Sequence, residues 1–337
     1  MAKRRGSRRL VAALLVAMIV IVGIGTAGYW FFAPYAASHG PVFVDIDRGM
    51  TTRQVARRLA SRGIIRRPWS LLALRILSPG ATLEAGEYRF SGAQTPWQVF
   101  QKLHRGDVFY EELTVPEGTN IFDIAGILDQ MDTVSSRAFL KAARSSSIIH
   151  DLDPKATDLE GYLFPSTYRV DHHTTARQLC AMMTAEFRKH WASLQASRPD
   201  ASTHDVVTLA SMVEKETAIP AERPLVAAVF DNRLRAHMPL ECDPTAVYAA
   251  LLENRYRGVI HKSDLASANP FNTYAHAGLP PGPITNPGVA SLEAALHPAA
   301  TNYLYFVARP DGSGTHQFSE TLTEHERAVL AYRKKSH

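Results

Sequence analysis

Cysteine is nearly absent from this chain. Only Cys180 and Cys242 occur among 337 residues, too few for the disulfide framework of a small secreted domain. We expect two unpaired, partly buried thiols, although an extracytoplasmic location would permit a disulfide. A metal site is not predicted either, because no third ligand follows His172 and His173 at a spacing typical of metal sites, and we expect this pair at the surface.

The body of the chain also lacks excess charge. The formal net charge is +5, but five basic residues cluster at the N-terminus: Lys3, Arg4, Arg5, Arg8 and Arg9. Without these five, 32 basic residues face 32 acidic residues. A neutral body does not provide the basic surface that nucleic acids require, so we predict no nucleic-acid partner. The basic cluster indicates membrane topology instead.

The sequence contains a single long hydrophobic run. Residues 10–32 are uncharged and mostly apolar, and about 20 such residues can cross a bilayer. The cationic residues 1–9 place the N-terminus in the cytoplasm. A cleaved signal peptide is the competing interpretation, but its apolar region spans only about 7–15 residues. We predict a retained single-pass anchor in the inner membrane, a linker at 33–41 and a periplasmic, or extracytoplasmic, remainder.

A small membrane-proximal subdomain is expected after the linker. Apolar residues alternate from Val42, Gly49 makes a turn, and a helix follows. The same order recurs 69 positions later, where Gly118 matches Gly49, and residues 92–103 form a weaker third copy. This unit resembles half of a LysM-type module, a small fold that holds glycan chains. We therefore predict a LysM-like subdomain over 42–111, with an ordinary strand-to-helix turn as the alternative.

The run 208–217 predicts a helix that carries two glutamates into apolar surroundings. On a helical wheel Glu214 and Glu216 lie at the margins of an apolar arc, roughly 160° apart, so they are not a close carboxylate pair. Thr208, Ser211 and Lys215 fall on the opposite side, which we expect to face solvent. A carboxyl among apolar side chains favours its protonated form and can act as a general acid. The wheel leaves both glutamates open, and a surface glutamate paired with an arginine is the alternative.

The loop 278–288 has Gly or Pro at seven of its eleven positions. Its backbone is therefore pre-shaped and cannot be an ordinary helix or a central strand. Functional residues often lie on such loops. With helices and short strands alternating around it, residues 112–337 are predicted as a mixed α/β domain, and the whole chain as α+β.

Several motifs, in this order and spacing, resemble the endolytic murein transglycosylase (MltG, or YceG-like) family. The motifs are residues 209–217 with Glu-Lys-Glu-Thr at their end, 230–234, 240–248 with Asp-Pro-Thr at 243–245, 272–274, 278–288, 297–298, 303–307 and 316–325. Earlier matches at 115–119 and 161–165, together with the N-terminal anchor, extend the resemblance over nearly the whole chain. Each motif is weak alone, but the set is specific.

The resemblance implies an enzyme that breaks the β-1,4 bond between N-acetylmuramic acid (MurNAc) and N-acetylglucosamine (GlcNAc) in peptidoglycan without water. Residues 112–337 would form its catalytic domain, and the second glutamate of the Glu-Lys-Glu-Thr run, Glu216, would be the catalytic residue. It would protonate the glycosidic oxygen and then accept the proton of the muramoyl C6 hydroxyl, which closes a 1,6-anhydro ring. One acid suffices, unlike the two carboxylates of most glycosidases. The expected role is to terminate or trim nascent glycan strands, beside penicillin-binding synthases.

The matched motifs also supply substrate-binding candidates. Some of these residues could equally hold loops or cap turns. Glu241 departs from the family pattern, where Gln is frequent, and could change the charge of the cleft. The candidates are Asn232, Asp243, Thr245, Asn272, Tyr274 and His316.

Two other functions compete with this prediction. A non-catalytic, membrane-anchored peptidoglycan-binding scaffold for synthases would use the LysM-like part and leave Glu216 without a chemical role. A pyridoxal-phosphate lyase would need a buried Schiff-base lysine, whereas Lys215 lies on the face of the helix that is predicted to meet solvent. Such a lyase would also be cytosolic, which disagrees with the predicted membrane topology. No cofactor or metal is therefore expected.

Overall fold

The chain forms two compact units, Met1–Tyr110 and Glu111–His337. The computed structural model describes the backbone of residues 2–38 and 40–335, and their side chains except those of residues 2–11, 27, 30 and 335. Each unit has its own apolar core. The division follows Tyr110.

The first unit begins with helix α1, Ala2–Phe32. The large apolar side chains between Leu14 and Ile24 are each at least 50% exposed. Over the described part of the chain, no helix meets the length and hydropathy needed to cross a membrane. The side chains of the predicted cytoplasmic tail, residues 1–9, and of Leu10, Val11, Ala27 and Trp30 in the predicted span lie outside the described set.

The rest of the first unit is a two-stranded antiparallel sheet packed with short helices. Its elements are β1 Val42–Ile46, α2 Thr52–Ser61, α3 Pro68–Leu77, β2 Gly86–Phe90 and α4 Pro96–Arg105. Val42 pairs with Phe90 across the sheet. Gly49 adopts φ +85°, as the predicted turn requires, and Thr51 caps α2 with a capping box. The alternating pattern thus produced the expected strand, turn and helix.

The second unit is a mixed α and β fold in which the described strands form two-stranded antiparallel sheets, β3 with β4 and β5 with β6. Its elements are β3 Glu111–Thr114, α5 Ile121–Leu128, α6 Ser136–Ala143, β4 Thr167–Val170, α7 Ala176–Gln195, α8 Thr203–Glu216, α9 Arg223–Arg235, α10 Asp243–Leu252, α11 Lys262–Leu265, α12 Val289–Leu296, β5 Tyr305–Ala308, β6 His316–Ser319 and α13 Leu322–Lys335. Helix α6 ends at Ala143, and strand β5 is only half-buried.

Helix α8 lies in the middle of the second unit and is enclosed along most of its length. The prediction that Thr208 and Ser211 face solvent is wrong, because both are 0% exposed. The Ser211 hydroxyl donates to the Thr208 carbonyl oxygen at 2.7 Å and accepts from the Ile284 amide at 3.0 Å. A small hydroxyl that finds partners this way can be buried at low cost. Lys215, by contrast, is exposed as expected.

The Gly- and Pro-rich loop 278–288 runs through the interior beside α8. Asn286 is fully buried, and its Oδ1 atom accepts from the amides of Gly161 and Leu163, each at 2.9 Å. Gly161 has φ +87°, and a Cβ there would lie 2.5 Å from the Pro283 side chain. The loop is therefore a rigid internal brace whose path depends on this close approach.

Candidate active site

Glu216 is the last residue of α8, and its carboxyl group lines a cavity of about 240 Å³. Thr217 turns the backbone to extended geometry and ends the helix there. The cavity wall is contributed by α9, α10, β5, α13 and the segments before α10 and after α11. It consists of Glu216, Phe230, Arg233, Leu240, Glu241, Asp243, Tyr274, Phe306 and His325.

The environment of Glu216 favours its protonated form. Burial is the main reason that the pKa of Glu216 lies above its ordinary value, and the nearby carboxylate of Asp243 adds to it. The Cys242 thiol, 3.1 Å from Oε1, and the charge of His316 act in the opposite direction. The pKa of the Cys242 thiol is itself raised by burial and by Glu216, so the thiol stays protonated and donates. Glu216 therefore keeps its proton to a higher pH than an exposed glutamate does, as a group that donates a proton to a substrate must.

Glu214 has a different environment, although it lies only two residues away. Its Oε1 atom accepts from Arg223 Nη2 at 2.8 Å, and its Oε2 atom accepts from the Gly288 amide at 2.9 Å. The two side chains of this ion pair are only 4% and 9% exposed. Glu214 is thus the glutamate paired with an arginine that the alternative interpretation described, and it ties α8 to α9 and to the internal brace.

Asp243 and Tyr274 are the predicted binding residues that line the cavity. Tyr274 donates its hydroxyl to Asp243 Oδ1 at 2.6 Å. Burial and this carboxylate raise the pKa of Tyr274, so its phenol stays protonated. Asp243 begins α10 with Pro244 beside it, a favoured start for a helix. The pair presents a phenol and a carboxylate, which suit sugar hydroxyl groups.

Glu241 faces the same cavity, and its charge is compensated there. Its Oε2 atom lies 3.1 Å from Arg233 Nη1, and Arg233 also donates to the carbonyl oxygens of Leu304 and Pro239 at 2.7 and 3.0 Å. Arg233 therefore ties α9 to the segments on either side of the cavity. The expected change in cleft charge from Glu241 is offset by this guanidinium.

The polar groups of three predicted binding residues are already hydrogen-bonded within the protein. Thr245 and Asn272 are 0% exposed. The Thr245 hydroxyl donates to the Cys242 carbonyl oxygen at 2.6 Å, and the Asn272 amide donates to Leu265 and Ser267. The Asn232 amide donates to the carbonyl oxygens of residues 301 and 303 at 2.8 and 2.9 Å. A direct sugar contact would require these amides and this hydroxyl to leave their partners, so their geometry fits the loop-holding alternative.

His316 packs edge-on against Phe306, which lines the cavity, with the ring centroids 5.5 Å apart. Its backbone amide donates to one oxygen of Glu222 and its Nδ1 atom lies 2.7 Å from the other. Thr217, the residue after Glu216, also donates to Glu222, at 3.3 Å. This cluster fixes the backbone exit from α8 and, through the charge of His316, influences Glu216.

Sequence reasoning did not identify Cys242, Arg233, Phe306 or His325 as part of this site. All four stand inside the quoted motifs, so the motif positions could have suggested them. Periodicity could not, because Phe306 and His325 come from β5 and α13, about a hundred residues beyond Glu216. Both cysteines are buried free thiols in this structure.

A model of the YceG-like family matches residues 44–331. The chain belongs to the YceG-like family. It is 31% identical over 309 residues to a Bacillus subtilis protein named endolytic murein transglycosylase, covering 86% of this chain and 84% of that protein. A Streptococcus pneumoniae protein of the same name is 26% identical, with 96% and 65% covered. The resemblance drawn from the motifs is therefore confirmed.

A solved structure supports the same fold. The 2.6 Å crystal structure of a yceG-like protein from Listeria monocytogenes is 29% identical, covers 86% of this chain and 99% of that chain, and superposes with a TM-score of 0.57. The mixed α and β architecture is thus that of a YceG-like protein.

Proposed function

We propose that this YceG-like protein is an endolytic peptidoglycan lytic transglycosylase with Glu216 as its catalytic acid and base. The relatives named endolytic murein transglycosylase support the reaction class. The observation that carries the assignment to Glu216 is its position: its carboxyl lines the cavity and has a raised pKa, whereas Glu214 is held in an ion pair. A protonated carboxyl that is partly shielded from solvent is the group that acid catalysis needs near neutral pH.

In the first step, Glu216 donates its proton to the glycosidic oxygen. The bond between C1 of MurNAc and this oxygen breaks, its electron pair stays with the oxygen, and GlcNAc leaves with a free 4-hydroxyl. Positive charge develops at C1. The carboxylate of Asp243 lines the same cavity and lies close enough to Glu216 to raise its pKa. The Cys242 thiol hydrogen bond stabilises the carboxylate that Glu216 becomes.

In the second step, the Glu216 carboxylate accepts the proton of the C6 hydroxyl of MurNAc. The C6 oxygen forms a bond to C1 and leaves a 1,6-anhydro-MurNAc end. The proton balance closes, because the C6 hydroxyl replaces the proton that Glu216 gave to the leaving sugar. No water is consumed and no second carboxylate is needed. The biological role proposed for this cut is to end or trim nascent strands.

The remaining candidates divide into two groups. Asp243 and Tyr274 are proposed to contact the sugar, since they line the cavity. The others are proposed to keep the cavity in shape. They are Asn232, Thr245, Asn272 and His316.

The test is digestion of purified peptidoglycan followed by mass spectrometry of the released muropeptides. Wild type should release anhydro-muropeptides, and Glu216→Gln should release at least about a hundredfold fewer, the low end for loss of a general acid. Glu112→Gln, at a side chain that is 57% exposed, serves as the matched control. Equal release by wild type and Glu216→Gln, or none by either, would exclude the enzyme.

A non-catalytic glycan-binding scaffold is the second candidate. It is favoured by the β1, α2, α3, β2 order of the first unit, which suits the proposed LysM-like role of residues 42–111. On this hypothesis wild type and Glu216→Gln would sediment equally with insoluble peptidoglycan, and neither would release products. Sedimentation without release would therefore replace the first proposal with the second.

We also propose that residues 10–32 anchor the protein in the inner membrane, with the second unit outside the cytoplasm. Support comes from the uncharged run, the basic residues before it, and the exposed apolar side chains between Leu14 and Ile24. Synthases are the proposed partners. Full-length protein should stay in membranes washed at alkaline pH, whereas residues 33–337 alone should be released. Release of both would contradict the anchor.

A further inference from the structure

A second hollow, of about 420 Å³, adjoins the Glu216 cavity. Asp243 lines both of them. Lys215, the neighbour of Glu216 in sequence, also lines the second hollow. A ligand that occupies the reacting cavity can therefore continue past Asp243 into this space.

One stripe of α10 forms a wall of the hollow. Asp243, Val247 and Leu251 all line it, and residues spaced by four lie on the same face of a helix. Eight residues of helix span about 12 Å at 1.5 Å per residue. Four residues of extended peptide span roughly 13 Å at 3.3 Å each. The hollow has the length of a short peptide that starts beside the reacting centre.

The walls suit aliphatic groups better than sugar hydroxyls. Val247, Leu251 and Ile260 line the hollow beside the ring of Tyr256, and two of the polar side chains there are already engaged. Tyr248 donates to Glu160 at 3.0 Å, and Asn120 Oδ1 accepts from two amides at the start of α5. Burying hydroxyl groups without partners is unfavourable. The part of the hollow formed by Val247, Leu251 and Ile260 therefore suits methyl side chains better than a sugar ring.

The charged residues of the hollow have both signs. Lys215 donates one hydrogen bond, to the Gly118 carbonyl oxygen at 3.2 Å, and an ammonium group has three donors. Asp123 and Asp243 supply carboxylates. The stem peptide of peptidoglycan matches this set, because it combines alanine methyl groups with carboxylates and with the amino group of a diamino acid.

We propose that this hollow is the subsite for the stem peptide carried by the muramoyl residue at the scissile bond. The inference rests on the proposed function and makes it more specific. The enzyme then prefers strands that carry stems to strands from which an amidase has removed them.

The experiment compares kcat/KM on stemmed and stripped glycan strands for full-length protein. Wild type should cut stemmed strands about tenfold faster, the ratio that ~1.4 kcal/mol of contact energy gives. Leu251→Trp fills the hollow and should abolish the preference without changing the rate on stripped strands. Leu252→Trp is the matched control, since this adjacent side chain is 39% exposed. Lys215→Met should lower the preference severalfold, and Lys155→Met, at a side chain 68% exposed, should not.

The outcomes separate the two proposals. Equal rates of wild type on both substrates, or a preference that survives both Leu251→Trp and Lys215→Met, overturns the stem subsite and leaves the enzyme intact. Absence of cleavage of either substrate contradicts the proposed function. In that case binding by Glu216→Gln decides the subsite: a disaccharide-tetrapeptide should bind about tenfold more tightly than the bare disaccharide, and equal affinities overturn it.

Discussion

Glu214 and Glu216 should respond in opposite ways to the same isosteric substitution. Glu214→Gln removes the charge that faces Arg223 at 2.8 Å in a nearly dry environment, so we expect lower stability with the chemistry intact. Glu216→Gln removes a carboxyl whose charged form is disfavoured by burial, so we expect little loss of stability and a large loss of activity.

The magnitudes follow from the burial of the pair. Breaking a buried ion pair by removing one partner costs about 3–5 kcal/mol when the other charge is left uncompensated. Arg223 keeps a second, more exposed partner, Glu117 at 3.7 Å, so we expect the low end of this range. For a unit of this size, 1 kcal/mol corresponds to roughly 2–4 °C in Tm, so a loss of ~3 kcal/mol lowers the transition by about 6–12 °C. For Glu216→Gln the stability should stay within about 1 kcal/mol of wild type while activity falls at least about a hundredfold.

Thermal unfolding and muropeptide release, measured on the same preparations, test this pair. Release by Glu214→Gln is measured well below its lowered Tm, so that unfolding does not imitate a catalytic defect. The reasoning is refuted if Glu214→Gln is as stable as wild type but inactive, or if Glu216→Gln unfolds early. Either result would mean that the roles of the two glutamates are exchanged.

Three further predictions concern the acid, a buried carboxyl and the internal brace. Cys242→Ala should move the alkaline limb of the kcat/KM profile to higher pH, since it removes a hydrogen bond of about 1 kcal/mol that favours the Glu216 carboxylate, whereas Cys180→Ala should leave the limb in place. Burial raises the pKa of Glu160 to about 8 from 4.5. The folded protein therefore keeps a proton there that the unfolded chain releases, so stability should fall by a few kcal/mol as pH rises through this window, and denaturant titrations of Glu160→Gln should show a flatter dependence. Gly161→Ala should lower stability by about 3 kcal/mol, from its positive φ and its clash with the brace, and unchanged urea unfolding would contradict this.

Local patterns in the sequence predict the elements well where one residue decides the geometry. Gly49 and Thr51 fixed the turn and start of α2, and the apolar spacing located α8. Periodicity failed on the faces of α8, because it assumes that one side meets water. Residues 278–288 and α12 cover that side, which is how Thr208 and Ser211 become buried.

The candidate site shows the same limit. The wheel left both glutamates open, since it describes neighbours along one helix and the deciding partners, Arg223 and Cys242, lie on other segments. Thr245 and Asn272 belong to matched motifs, yet their polar groups bond to the protein's own backbone. A motif shows that a position matters for the fold or the site, and contacts are needed to separate these roles.

The position of Glu216 as the final residue of α8 has an electrostatic consequence. The aligned peptide dipoles of a helix place partial negative charge at its C-terminal end, where a carboxylate is disfavoured by about 0.3–1 kcal/mol. The backbone of α8 itself thus helps the acid to keep its proton until the substrate arrives. The same carboxyl moved to the first turn of a helix would meet the opposite field and ionise more readily.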